Sequence, residues 1–116
     1  NPGEKVPEAI AILNPKQIDC DYPYKELSGC GVGLKLIQAV SKNEGIEFFE
    51  ITEYLDLLTV SIAADIVPMT GENRVFSFYG LQLINQSPRV GLKALMDVAQ
   101  KTKDVTISDV VFGVAP

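Results

Sequence analysis

The sequence predicts an α/β fold that is mainly helical, with one strand buried on both faces near the N-terminus. Ala9-Ile10-Ala11-Ile12-Leu13 is an unbroken apolar run between Pro7 and Asn14-Pro15. A run without polar alternation is the pattern of a strand covered on both faces, as in a parallel sheet. From about Val32 onward the apolar residues recur at helical spacing instead, in segments separated by Gly, Pro and Ser. A hydrophobic content of 47% over 116 residues and a mean hydropathy of +0.16 are enough for one core.

Residues 15–31 read as a loop, with Pro15, Pro23, Asp19, Asp21, Gly29 and Gly31. The first helix starts near Val32; Val32, Leu36, Ala39 and Val40 share a face, Leu34 and Ile37 widen it, and Gly45 can cap its end. The second runs from about Glu50 to Ile66 on the stripe Ile51, Leu55, Leu58 and Ile62, with Val60, Ala63 and Ala64 making it apolar nearly all round, until Pro68 stops it. Thr70 can cap a third helix with Glu72 in its first turn, burying Val75, Tyr79 and Leu83 with Phe76 and Ile84 beside them. Ser87-Pro88 starts a fourth, with Leu92, Leu95, Met96 and Ala99 facing the core. Thr106 or Ser108 opens a last short turn through Phe112. One strand cannot form a sheet alone, the chain opens Asn1-Pro2-Gly3-Glu4 without Met, and it stops in the apolar run ending Ala115-Pro116. These features predict a fragment of a larger unit.

Ten basic against fifteen acidic residues give a net charge of -5 and a pI near 4.6. Phosphate-neutralising surfaces need clustered Lys and Arg. The densest basic stretch, Lys93 to Lys103, is diluted by Asp97 and Asp104. A nucleic-acid groove would need residues from outside the chain. Cys20 and Cys30 form no CxxC, and without His two thiols cannot complete a four-ligand zinc site; they read as reduced thiols. The absence of His also excludes Ser-His-Asp and Cys-His nucleophiles. No apolar run approaches a membrane span and no signal-peptide layout opens the chain, so the cytoplasm is expected.

Asp65 is the residue that stands out. At about 100° per residue it falls on the stripe of Ile51, Leu55, Leu58 and Ile62, among Ala63, Ala64, Ile66 and Val67. An unpaired carboxylate in such a place is costly, so a cation is expected beside it. Two cations fit: Arg74, across the turn at Pro68, or a hard divalent metal whose other ligands come from elsewhere. Gly29-Cys30-Gly31-Val32-Gly33, followed by Lys35, could cradle a phosphate at a helix start, or could let that start pack closely. Arg89 and Lys93 suit either phosphate contact or solvated charge, and Tyr22, Tyr24 and Tyr79 either base stacking or packing.

Four stretches together resemble a known family: Pro7-Glu8-Ala9-Ile10-Ala11-Ile12-Leu13-Asn14-Pro15, Asp21-Tyr22-Pro23-Tyr24-Lys25-Glu26-Leu27, Ala63-Ala64-Asp65-Ile66-Val67-Pro68-Met69 and Gly71-Glu72-Asn73-Arg74. They are similar to the RecJ single-stranded-DNA-specific exonucleases of the DHH phosphoesterase superfamily. Gly29–Leu36 and Arg89–Leu95 resemble the same family at the corresponding places, so the likeness covers essentially the whole chain. It implies that residues 1–116 are the C-terminal portion of a DHH domain. It further implies a parent that digests single-stranded DNA 5′→3′ in repair and recombination with Mn²⁺ or Mg²⁺, and Asp65 as a catalytic metal ligand. Lys35 and Arg74 are then candidates for phosphate contact or for pairing with that site. The family's Asp-His-His motif and its earlier aspartates have no counterpart here, so the chain alone is expected to be inactive. Its bare helix faces are expected to favour a non-native dimer. Another DHH phosphoesterase, acting on short oligonucleotides or cyclic dinucleotides, and a non-catalytic binding module are the alternatives.

Overall fold

The computed structural model describes Gly3, residues 7–101 and residues 104–114. Lys103 and the chain ends Asn1-Pro2, Glu4 and Ala115-Pro116, which figure in the sequence reading, lie outside the described residues. Helices dominate: α1 Gly29–Glu44, α2 Phe48–Ile51, α3 Leu55–Ala64, α4 Gly71–Gln86, α5 Val90–Val98 and α6 Ile107–Asp109. A 3₁₀ turn, Thr52–Tyr54, joins α2 to α3, and a π-helical turn, Val110–Val114, follows α6.

The expected buried strand is not there. No strand occurs among the described residues, and Ala9–Leu13 is irregular backbone. Ile10 is 109% and Leu13 59% exposed, and only Ile12 is half-buried. A strand exists through the hydrogen bonds of its neighbour, and no described segment offers an edge to pair with. The apolar run shows that these residues suit a covered place without supplying the cover. The fold is therefore helical, not α/β.

The buried stripe on α2 and α3 is as expected, with Ile51, Leu55, Leu58 and Ile62 each no more than 6% exposed. Phase survives the 3₁₀ turn, so one apolar line serves both helices. Helix α3 divides two apolar clusters. On one side Leu55, Leu58 and Ile62 meet Leu34 of α1 and Phe76 of α4. On the other, Ala63 meets Ile84, Leu92, Met96, Val105 and Val110. Full burial of a large aliphatic side chain contributes about 1.5–3 kcal/mol, so α3 anchors both groups.

Helix α4 turns a different face inward from the one its apolar residues suggest. Val75 is 53% and Tyr79 52% exposed, while Asn73, Phe76, Ser77, Gly80 and Ile84 are buried. Gly80 explains the rotation: a Cβ there would lie 1.9 Å from Thr59 Oγ1 and 2.2 Å from Leu55 O. Only glycine lets the two helices come this close. Thr59, wholly buried, satisfies its hydroxyl by donating to Leu55 O at 2.8 Å.

Caps and pairs fix the remaining ends. Ser28 Oγ accepts from Gly31 N, starting α1 three residues earlier than its apolar pattern suggests, and Gly45 closes it at φ 71°. Arg89, at the start of α5, donates from Nε to the buried Asp56 carboxylate at 2.8 Å and from Nη2 to Glu53 O at 2.7 Å. Thr106 and Asp109 form a reciprocal capping box at α6. Hydrogen bonds from Lys101 and from the Thr106 backbone hold the Asp109 carboxyl down at about 2. Cys20 and Cys30 are both free thiols.

Candidate functional site

Asp65 follows the last residue of α3, where its backbone N–H still donates to Ser61 O at 2.9 Å. The next residue, Ile66, takes a left-handed φ of 50° and ends the helix. Asp65 is thereby exposed and not buried on the stripe. The periodicity was sound through Ile62, but the helix outruns its packing partners before position 65. Its carboxylate accepts a hydrogen bond from Ser61 Oγ at 3.3 Å and joins no ion pair among the described residues. The pairing with Arg74 considered above does not form: Arg74 is exposed on the first turn of α4.

An isolated β-branched residue with positive φ is uncommon and costs on the order of 1–2 kcal/mol. That strain sits beside Asp65. Asp65 also borders a cavity of about 690 Å³, shared with Asn14, Lys16, Lys25 and the Ser28-Gly29 start of α1. The cavity gathers one carboxylate, two lysines and the positive end of a 16-residue helix.

Two of the family-like stretches are bonded to one another, and the first of them reaches this cavity through Lys25 and Leu27. Tyr22 hydroxyl donates to Glu72 Oε2 at 2.5 Å, and Tyr24 hydroxyl donates to Thr70 O at 2.7 Å. Asn73 Nδ2 donates to Glu26 O at 2.7 Å and to Pro68 O at 3.0 Å. Gly71, at φ 46°, lets the Tyr24 ring lie where a Cβ would meet it at 2.6 Å. The loop 21–27 is thus pinned to the start of α4. The sequence signal for this contact is an amide and a glycine just inside a helix start, Asn73 and Gly71, with the tyrosines Tyr22 and Tyr24 in a loop.

Lys35 belongs to the frame and not to the cavity around Asp65. Its Nζ donates to Glu72 Oε1 at 3.0 Å and lies 5.8 Å from the Tyr22 ring centre. Burial pushes the Lys35 pKa down, but the hydrogen bonds and charges of Glu72 and Tyr22 outweigh it, and the pKa stands above its usual value. The Tyr22 hydroxyl is also raised, first by burial and then by its bond to Glu72. Arg89 is likewise committed to Asp56, while Lys93 is exposed on α5.

As a metal ligand Asp65 offers a hard oxygen donor facing open space, which fits Mn²⁺ or Mg²⁺. It is one ligand only: no group of three His, Cys, Asp or Glu side chains converges among the described residues. No described helix is long and apolar enough to cross a membrane.

No family model matches the chain. Relatives and a solved structure do. The chain is 39% identical over 99 residues to the single-stranded-DNA-specific exonuclease RecJ of Bacillus subtilis, covering 84% of this chain and 12% of that protein. Against RecJ of Escherichia coli it is 34% identical over 126 aligned residues, covering 99% of this chain and 22% of the relative. RecJ of Haemophilus influenzae matches at 36%, with the same coverage. A crystal structure of exonuclease RecJ bound to manganese superposes with a TM-score of 0.82 and 31% identity, over 100% of this chain and 28% of that one. Each of these proteins is an exonuclease by name. By sequence and by fold the chain is a RecJ-like segment, and it spans 12 to 22% of the length of these relatives.

Proposed function

We propose that the chain is part of a metal-dependent exonuclease that digests single-stranded DNA 5′→3′ in the cytoplasm during repair and recombination. In this reading residues 1–116 are the C-terminal portion of a DHH domain and are inactive alone. The supporting observation is Asp65: a free carboxylate on a strained helix end, bordering a polar cavity, in a chain similar throughout to a nuclease crystallised with manganese. Asp65 would help hold Mn²⁺ or Mg²⁺, which when bound supplies Lewis acidity to phosphodiester hydrolysis. Ser61 orients the carboxylate through its hydroxyl. The Tyr22–Glu72–Lys35 and Asn73–Glu26 contacts keep the cavity wall in place. Lys35 therefore acts as a positioning residue, while exposed Arg74 remains available for phosphate contact.

The test is a nuclease assay on the full-length protein carrying this chain, wild type beside Asp65→Ala, on 5′-labelled single-stranded DNA with Mn²⁺. The reading expects digestion by the wild type and none by the variant with its fold unchanged. Equal digestion by both would remove Asp65 from the site. Preference for short oligonucleotides or a cyclic dinucleotide would move the protein to another phosphoesterase class, and no digestion by either would favour a binding module.

A further inference from the structure

We propose that Lys25 binds a backbone phosphate of the substrate strand in the cavity it shares with Asp65. The inference rests on the nuclease reading above and names a contact within that site. Lysines at positions 16 and 25 both line the cavity, but their charges are differently employed. Lys16 Nζ is neutralised by Glu26 Oε2 at 2.8 Å. Lys25 is half-buried, and its Nζ donates to the backbone carbonyl of Cys20, with no carboxylate paired to it among the described residues. A carbonyl fixes the position of an ammonium without cancelling its charge. A partly desolvated cation that is held in place and uncompensated is complementary to an anion.

The surroundings select the kind of anion. The cavity volume of about 690 Å³ suits a nucleotide-sized group, and Gly29 brings the positive end of α1 to its wall, leaving open space where a side chain would stand. Asp65 on the same wall repels a bare anion, so the favoured occupant is one that a carboxylate-bound cation also attracts. A phosphodiester meets both demands. The loop carrying Lys25 is held at both sides by Tyr24 on Thr70 and by Asn73 on Glu26, so the ammonium is presented from a fixed frame.

The experiment is equilibrium binding of fluorescein-labelled, digestion-resistant phosphorothioate oligothymidylate to the full-length protein with Mn²⁺ present, by anisotropy across a KCl series. Each phosphate contact on a single strand contributes roughly 0.7 to the slope of log affinity against log salt. Lys25→Met should weaken binding and make the slope shallower by about 0.7. Lys25→Arg, which keeps the charge, should retain the wild-type slope, and Lys42→Met, at the far end of α1, should leave it unchanged. In steady-state digestion Lys25→Met should raise KM more than it lowers kcat. A Lys25→Met slope equal to wild type, or an equal loss in Lys25→Arg or in Lys42→Met, would overturn the assignment. Failure of the wild type to bind the oligonucleotide at all would instead overturn the nuclease reading beneath it.

Discussion

The tightest point of the α3–α4 interface and the outer face of α1 invert the usual relation between hydropathy and burial. Beside the apolar contacts of Leu55, Leu58 and Ile62 with Phe76, the interface closes where Thr59 meets Gly80, neither of them large and apolar, yet Thr59 is wholly buried. The outer face of α1 carries Leu36, Ile37 and Val40, which are 54%, 45% and 51% exposed. Close helix approach is decided by the absence of side-chain volume at Gly80, and the Thr59 hydroxyl there is satisfied on Leu55 O. An apolar stripe records that a surface is suited to cover, and the partner that covers it must be identified separately. The radius of gyration, 15.6 Å, exceeds the roughly 13 Å of a compact domain near this length, in keeping with the exposed N-terminal run.

The largest effect should come from adding one carbon to the tight interface. Gly80→Ala places a Cβ against Thr59 and the Leu55 carbonyl, and overpacking of this kind costs about 1–3 kcal/mol or more, beyond the helix-propensity gain of about 1 kcal/mol. Urea unfolding followed by circular dichroism should show a clear loss of midpoint; an unchanged midpoint would mean that the helices are not in such contact. Arg89→Met should be next. It strands the buried Asp56 carboxylate, and because the arginine is itself 36% exposed the cost is discounted to about 2 kcal/mol. Asp56→Asn in the same background should recover part of that loss.

On the α1 face, Val40→Lys should change stability by no more than about 0.5 kcal/mol, since nothing described covers it. It should also reduce any self-association of the chain seen by light scattering, and a large loss of stability would show that the face is packed. The smallest effects are ionic. Tyr22 and Lys35 both hold their protons more tightly folded than at their usual 10.0 and 10.5. Their contribution is therefore complete below about pH 10 and is lost as pH rises through the raised folded values. Asp109 behaves oppositely: its capping contribution is present above its usual 3.8 and disappears as pH falls through about 2. A pH series of the unfolding midpoint should show both flanks, and Glu72→Gln should diminish the alkaline one.

What the sequence made legible follows the same division. The α2–α3 stripe, the glycine cap at Gly45 and the Thr106 cap are local signals, and each appears where its residues placed it. The α4 face was displaced because periodicity counts Val75 and Tyr79 and overlooks Asn73, Ser77 and Gly80. The Ala9–Leu13 strand was misjudged because pairing is not a property of one segment. Asp65 was singled out by an argument from burial that does not apply to an exposed residue. What remains is its position on the polar cavity and the family likeness around it. The loop–helix contacts around Lys25 are not legible in the sequence because they join residues more than forty positions apart, as Tyr24 to Thr70 and Glu26 to Asn73 show.

The central claim is that the Asp65 carboxylate is a ligand of a divalent metal centre completed elsewhere in the protein. Titration of Mn²⁺ into the full-length protein, followed by electron paramagnetic resonance of the unbound ion, tests it without reference to turnover. The account predicts tight binding by the wild type, weakened at least tenfold by Asp65→Asn while the circular dichroism spectrum is retained. Identical Mn²⁺ affinity and stoichiometry in the two proteins would contradict it.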